Sequence, residues 1–371
     1  MTVSILFRVV FFIVSSFNAP VFKLKNGGNF MKFLKKLFLS IAFIAVATLG
    51  TTSANAACKV HLGDFDWDSA NVHTAIAGFI IEKGYGCDVE VTKGSTSPIM
   101  AAHYDQQLDI ITEVWRDNIV QMHEEAVAKG QIIELGVNTP SSTQGFYVDK
   151  ATSDKYGLKS VEDMKKPEIA KLFADPEAPG KGRMTSCISG WTCYTINLVK
   201  HKVYGLDEFY TNFDPGSGGA LDAAIAGAFK KGKPVFSYYW TPTGLMGKVD
   251  LVQLKEPAYD NACWTKMMAV VEKIKADGPD AYTETCASAY VDMALTKSAT
   301  TKFANDPANK PIIDFVKQYS LPTAEVNKSL AFYIDESGGD MEATAKNYLK
   351  SDSAWTKWVP ADVAKKVKAA L

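Results

Sequence analysis

Residues 58–80 read CKVHLGDFDWDSANVHTAIAGFI, and this stretch holds the unit from which the fold is built. Val60 and Leu62 share one face of an extended segment running from Cys58 to Phe65, because side chains alternate along a strand. Asp68 and Ser69 then offer helix caps, and Val72, Ile76, Phe79 and Ile80 recur with helical spacing. A strand feeding directly into a helix predicts a parallel neighbour strand, with the helix lying over the sheet.

The same alternation continues outward. Strands are predicted at Cys87–Val91, Leu108–Trp115 and Gln131–Leu135, with helices starting at Ser97-Pro98 and spanning Asn118–Lys129. A polar loop is predicted from Asn138 to Gln144, and a second unit opens at Gly145-Phe146-Tyr147-Val148. That unit contains a helix near Val161–Ile169, a strand Arg183–Cys187, a helix after Trp191, an Ala-rich helix Ala220–Lys230 and an apolar strand Val235–Trp240. Past Glu256-Pro257 the pattern is helical to Leu371. The expected fold class is α/β, in two lobes with a parallel-rich sheet in each. Lobe 1 comprises residues 57–143 plus 257–371 and lobe 2 residues 144–256. Two lobes joined by two crossings bind a ligand between them.

Charge bounds the partners. The chain carries 40 basic and 41 acidic side chains, so it has no basic excess to neutralise a phosphate backbone, and nucleic acid is not an expected partner. From Met31 the text MKFLKKLFLSIAFIAVATLGTTSANAAC gives a basic start, an apolar run Leu37–Leu49 and the small residues Ala54-Asn55-Ala56. That order is a secretory signal with cleavage after Ala56. The run is shorter than the ~20 residues of a spanning helix. Asn55 stands where a lipoprotein signal carries an apolar residue before its Cys, so Cys58 is not expected to be lipidated. Residues 1–30 form an upstream extension before a natural start at Met31. Residues 1–56 are therefore set apart from the fold, and the expected destination is the periplasm.

All six cysteines (Cys58, Cys87, Cys187, Cys193, Cys263, Cys286) lie after that signal, and an even count in an exported chain predicts disulfides. Fifteen complete pairings are open; nearest neighbours would give Cys58 to Cys87, Cys187 to Cys193 and Cys263 to Cys286. No C-x2-C spacing points to a metal instead. Catalytic motifs are weak. His123-Glu124-Glu125 lacks the second His of a zinc protease helix, since Val127 takes its place. Gly227 to Lys233 has the spacing of a phosphate loop, but Pro234 stands where a Ser or Thr must hold magnesium. Gly216-Ser217-Gly218-Gly219 reads as a turn feeding a helix. The five histidines are scattered. No cofactor and no enzymatic activity are expected.

The signal concentrates in tryptophan. Trp67, Trp115, Trp191 and Trp240 fall at the ends of predicted strands or the starts of the next helices, where α/β sheets face their ligand crevice. Aromatic faces attract quaternary ammonium cations, which cannot donate hydrogen bonds. Beside Trp191, the segment Thr185-Ser186-Cys187-Ile188-Ser189-Gly190-Trp191-Thr192-Cys193 suggests a short disulfide loop ahead of a helix. The N–H groups of Thr192 and Cys193 would there favour an anion. Glu113 and Asp66, near two of these tryptophans, would add negative potential for a cation.

The signal peptide, the Cys187 to Cys193 loop around Gly190-Trp191-Thr192, the Tyr238-Tyr239-Trp240-Thr241-Pro242 segment and Leu254-Lys255-Glu256-Pro257-Ala258-Tyr259 together resemble the periplasmic glycine betaine/choline binding proteins of ABC importers. The resemblance covers nearly all of residues 58–371. It implies the two-lobe periplasmic-binding-protein fold of type II, a monomer, and delivery of a small methylated ammonium or sulfonium ligand to a permease in the inner membrane. The four-Trp arrangement is most similar to members that bind trimethylamine N-oxide or related osmolytes. It implies that Trp67 and Trp115 from one lobe close with Trp191 and Trp240 from the other around the methylated head. One departure stands out: Arg116-Asp117-Asn118-Ile119 comes after Trp115, where some betaine binders carry a His. The carboxylate-binding mode is thereby left open.

Overall fold

The structure is a computed structural model that describes residues 58–371; the signal segment and its cleavage point lie outside the described residues. Strands β1 (Lys59–Phe65), β2 (Asp88–Gly94) and β3 (Ile110–Val114) pair in parallel around β1. Helix α1 (Asp68–Phe79) covers them, with Val72 and Ile76 buried against Val60 and Leu62. Neither Asp68 nor Ser69 caps α1; its N-cap position is Trp67, and the Ser69 hydroxyl is spent on Glu113 instead. Helix α2 (Thr96–Tyr104) precedes β3 and helix α3 (Val120–Ala128) comes after it.

The polar stretch Asn138–Gln144 is not a loop. It is the middle of β4 (Ile132–Asp149), an 18-residue strand. Residues 132–142 of β4 pair antiparallel with β9 (Met293–Thr300), and residues 143–148 pair antiparallel with β7 (Phe236–Thr241). Asn138, Thr139 and Gln144 read as loop residues because they are polar, yet each is buried with a partner. The Asn138 amide donates to the Thr112 carbonyl at 2.5 Å, Thr139 donates to the Leu321 carbonyl at 3.2 Å, and Gln144 exchanges bonds with Asn118.

β9 lies in the segment expected to be helical. Its alternation is disguised by Lys297, which is buried because its ammonium donates to the carbonyls of Val137, Lys317 and Tyr319. With β4 and β9 antiparallel at the centre, the sheet is mixed rather than parallel. β4 enters the second half without a covering helix, so direct antiparallel pairing replaces the strand-helix-strand crossover that parallel neighbours require.

The second half holds β5 (Gly182–Thr185) between β6 (Tyr210–Phe213) and β7, all parallel, with β8 (Leu251–Gln253) on β4. Helices α4 (Thr192–Val203) and α5 (Gly218–Lys230) come after β5 and β6. Helix α6 (Asn261–Asp277) touches both halves: the Trp264 indole donates to the Asp117 carbonyl at 3.0 Å, and Met267 and Val271 bury against the core that holds Ile196 of α4. Helices α7 (Lys310–Gln318), α8 (Thr323–Asp335), α9 (Met341–Ser351) and α10 (Ala361–Ala370) complete the first half, with Phe315, Leu330, Trp355 and Val367 packed in the core that contains Val60 and Leu62.

Cys58–Cys87, Cys187–Cys193 and Cys263–Cys286 are disulfide-bonded, each joining nearest neighbours in sequence. Among the described residues no helix is long and apolar enough to cross a membrane.

Candidate ligand-binding site

Strands β1, β3, β5 and β7 end close together, and the residues at and just beyond their ends converge on one pocket. Phe65 and Trp67 come from the end of β1, Val114 and Trp115 from β3, Trp191, Thr192 and Cys193 from the turn after β5, and Tyr238 and Trp240 from β7. The pocket holds about 480 Å³ of empty space, its mouth included, and no charged side chain lines it. The polar side chains on its wall are Thr96, Asn118, Thr192 and the Tyr238 phenol.

The rings hold one another. Phe65 stacks on Trp67 with centroids 4.4 Å apart and planes within 4°. Trp67 meets Trp191 edge to face at 5.2 Å, and Trp191 meets Trp240 the same way at 5.4 Å. In such contacts the positive ring edge faces the negative ring face, worth roughly 0.5–1.5 kcal/mol each beyond area burial. Tyr238 lies over Trp240 at 6.0 Å. Trp67, Trp191 and Trp240 are buried and Trp115 is half-buried.

Each of three indole N–H groups has a carboxylate acceptor. Trp67 and Trp115 both donate to Glu113 Oε1, at 2.7 and 2.9 Å, and Trp191 donates to Asp66 Oδ1 at 2.5 Å. Glu113 is therefore not on the pocket wall; it is fully buried behind two of the wall's indoles. Burial pushes its carboxyl up to about 7, against the opposing pull of the hydrogen bonds from Trp67, Trp115 and Ser69. His73, 3.6 Å from Glu113 Oε2, is neutral because burial, aided by Lys297, pushes its imidazole down to about 3. Asp66 is exposed and accepts from the Trp191 indole, 125 positions further along the chain.

The Cys187–Cys193 bridge closes the turn that carries Trp191. Gly190 in this turn has φ of +96°, a conformation that favours glycine, and a Cβ there would press on the Ser95 Cβ at 3.2 Å. Trp191 is the N-cap position of α4 and no side chain caps that helix. The Thr192 hydroxyl is buried without a hydrogen-bond partner. Thr192 and Cys193 thus stand on the pocket wall at an open helix start.

Sequence reasoning missed Phe65, Tyr238, Asn118 and Gln144. Phe65 and Tyr238 each precede a pocket tryptophan by two positions, and period-two alternation along a strand was the signal that could have found them. Asn118 and Gln144 exchange reciprocal amide hydrogen bonds at 2.9 and 3.3 Å, and Gln144 also accepts from the Tyr238 hydroxyl at 2.9 Å. Nothing local in the sequence pairs residues 26 positions apart. Of the motif fragments, His123 is bonded to Tyr104 and Glu134 on a helix face, and Gly232 ends the turn after α5. Among the described residues no cluster of three or more metal-ligating side chains occurs.

Comparison with known proteins bears on the family and the fold. The family model for the substrate binding domain of ABC-type glycine betaine transport systems matches residues 59–351. The glycine betaine/proline betaine-binding periplasmic protein of Escherichia coli is 34% identical over 142 residues, which is 37% of this chain and 42% of that protein. The matched stretch thus spans less than half of that relative's length. The trimethylamine N-oxide-binding protein of Pelagibacter ubique is 23% identical over 333 residues, covering 88% of this chain and 99% of that one. Among solved structures, an ABC-transporter choline binding protein in complex with choline is similar with a TM-score of 0.64 at 17% identity, covering 86% of this chain and 99% of its own. Lactococcal OpuAC in its closed-liganded conformation with glycine betaine gives 0.61 at 16%, over 82% of this chain and 100% of that chain. These likenesses fix the two-lobe α/β architecture, and the extent of the family match settles membership. The chain belongs to the family of substrate-binding domains of ABC-type glycine betaine transport systems.

Proposed function

We propose that this protein captures a small methylated cation or zwitterion between its lobes and delivers it to an ABC importer in the inner membrane. The observation that carries the reading is the pocket itself, walled by four tryptophans and free of charged side chains. A methylated ammonium or sulfonium head cannot donate hydrogen bonds, so it gains from aromatic faces what it loses in water. At ~2 kcal/mol per desolvated face, three or four rings supply most of the ~8 kcal/mol needed for micromolar binding.

The division into lobe 1, residues 57–143 plus 257–371, and lobe 2, residues 144–256, puts Trp67 and Trp115 on one side of the cage and Trp191 and Trp240 on the other. Helix α6 bridges them. Closure then buries the head group and presents the loaded form to the permease. The open helix start at Thr192 and Cys193, with the unpartnered Thr192 hydroxyl, suits the anionic end of a zwitterion. The protein works as an exported monomer without cofactor.

Titration calorimetry with glycine betaine, trimethylamine N-oxide, choline, proline betaine and dimethylsulfoniopropionate tests the reading and ranks the ligands. Micromolar binding of at least one supports it, and no heat from any of the five overturns it. The rival reading, an exported enzyme acting on a methylated amine, requires the bound compound to change. Mass spectrometry of the ligand after incubation decides between them, an unaltered mass supporting capture alone.

A further inference from the structure

We propose that Glu113 is a positioning residue that never touches the ligand: one of its oxygens fixes two walls of the cage, while the charge carried on the other sets how strongly the cage attracts a cation. This rests on the ligand class proposed above.

The two oxygens are unequal. Oε1 accepts from the Trp67 indole at 2.7 Å, the Trp115 indole at 2.9 Å and the Ser69 hydroxyl at 3.0 Å. Oε2 is buried without a hydrogen-bond partner. An indole N–H can only donate, so each of these indoles needs an acceptor that stays in place. Trp67 and Trp115 leave the ends of different strands, and the single oxygen between them ties two walls to one point. A proton arriving at Glu113 has no room on Oε1, whose donors saturate it, and goes to Oε2. Protonation therefore changes the charge behind the cage and leaves the indole bonds intact.

Among the described residues no Lys or Arg is ion-paired with Glu113. His73 of α1 is the basic side chain nearest Oε2, at 3.6 Å, and it is held neutral while bonding Tyr319 at 2.8 Å and Thr139 at 3.2 Å. Asp64 of β1 adds negative charge that favours the proton on Glu113. Lys297 of β9 faces the carbonyls of Val137, Lys317 and Tyr319 and acts on His73. A cationic ligand in the pocket would bring a full positive charge to the other side of the two indoles that Glu113 holds. Burial brings the carboxyl up to about 7, so the charge is switched within the range of ordinary buffers, and cation binding expels the proton.

The test uses the mature chain and two probes: choline, and the neutral isostere 3,3-dimethylbutan-1-ol. Choline affinity is expected to fall roughly tenfold from pH 8.5 to pH 5.5, on the order expected for unit charges ~10 Å apart at an effective dielectric of ~20. The isostere should show no such slope. In E113Q the amide oxygen still accepts both indole bonds, so choline binds at the weaker, low-pH level at every pH. Without any ligand, the indole N–H resonances of Trp67 and Trp115 should titrate together in the wild-type protein and stop titrating in E113Q. Indole resonances indifferent to pH and to E113Q overturn the proposal, as does an unchanged choline slope in E113Q. Titrating indoles in a protein that binds no methylated cation uphold the positioning role and overturn the ligand reading.

Discussion

Among the pocket tryptophans, Trp115→Ala separates ligand recognition from core packing most cleanly. Trp115 is half-buried, whereas Trp67, Trp191 and Trp240 are buried below a tenth exposure and hold one another edge to face. Removing its ring takes away one aromatic face from a desolvated cation, about 2 kcal/mol, which is roughly a 30-fold loss in affinity. The stability cost comes from a partly buried side chain, about 1–1.5 kcal/mol, and one hydrogen bond to Glu113, about 1 kcal/mol. Glu113 keeps its bonds from Trp67 and Ser69, so no buried acceptor is stranded. At ~2 °C per kcal/mol for a chain of this size, the melting temperature should fall by roughly 5 °C. Trp115→Phe should recover part of the affinity, because a smaller face remains. Trp191→Ala, by contrast, cuts two ring contacts and the Asp66 bond and should cost the fold ~3–5 kcal/mol as well as affinity. Calorimetric titration of the tightest-binding methylated cation, with circular dichroism melts of each variant, reads both quantities. An unchanged affinity in Trp115→Ala alongside a lowered melting temperature would show that this ring is packing and not recognition.

Cys187→Ser with Cys193→Ser opens a loop of sequence separation 6, whose chain-entropy contribution is about 2 kcal/mol; ligand affinity should drop by more than that, and equal losses in calorimetry and melting would count against a role for the bridge in shaping the site. Lys200 and Glu256 form a buried pair at 3.1 Å, with the Lys200 ammonium also 2.9 Å from the Ser288 carbonyl; Lys200→Met strands the carboxylate and should cost ~3–5 kcal/mol in denaturant unfolding, while Lys200→Met with Glu256→Leu should recover much of it. For pH dependence the sign comes from proton counts. Burial raises Asp64 and Asp222 to about 6 and Glu113 to about 7, so the folded state holds more protons there and stability falls as pH rises from about 4 to 7. Burial lowers His73 and His201 to about 3 and His103 to about 4, so the unfolded state holds more protons and stability rises between about 3 and 6.5. The two sets oppose each other, and scanning calorimetry should find a nearly flat melting temperature from about pH 4.5 to 6 with a fall below 4; a steep rise through 4.5–6 would refute the balance. Export after Ala56 should give an N-terminus near Ala57 on sequencing the secreted protein, and an intact Met31 would refute it.

What the sequence determined by itself was local in origin. Residues 58–80 specified strand then helix because alternation and helical period are properties of neighbouring side chains. The even count of six cysteines pointed to bridges but left fifteen pairings open, and the placing of Trp67, Trp115, Trp191 and Trp240 at strand ends comes from each strand read alone. The tertiary structure decided whatever depends on partners far along the chain. Asn138, Thr139 and Gln144 look like loop residues until Thr112, Leu321 and Asn118 arrive to satisfy them inside β4. Met293–Thr300 does not look like a central strand until three carbonyls accept the protons of Lys297. Glu113 is one carboxylate among many in the sequence, and only folding brings Trp67, 46 positions away, to the same oxygen as Trp115. A buried polar group is tolerated only when its partners are present, and partners set by long-range packing leave no periodic trace in the sequence.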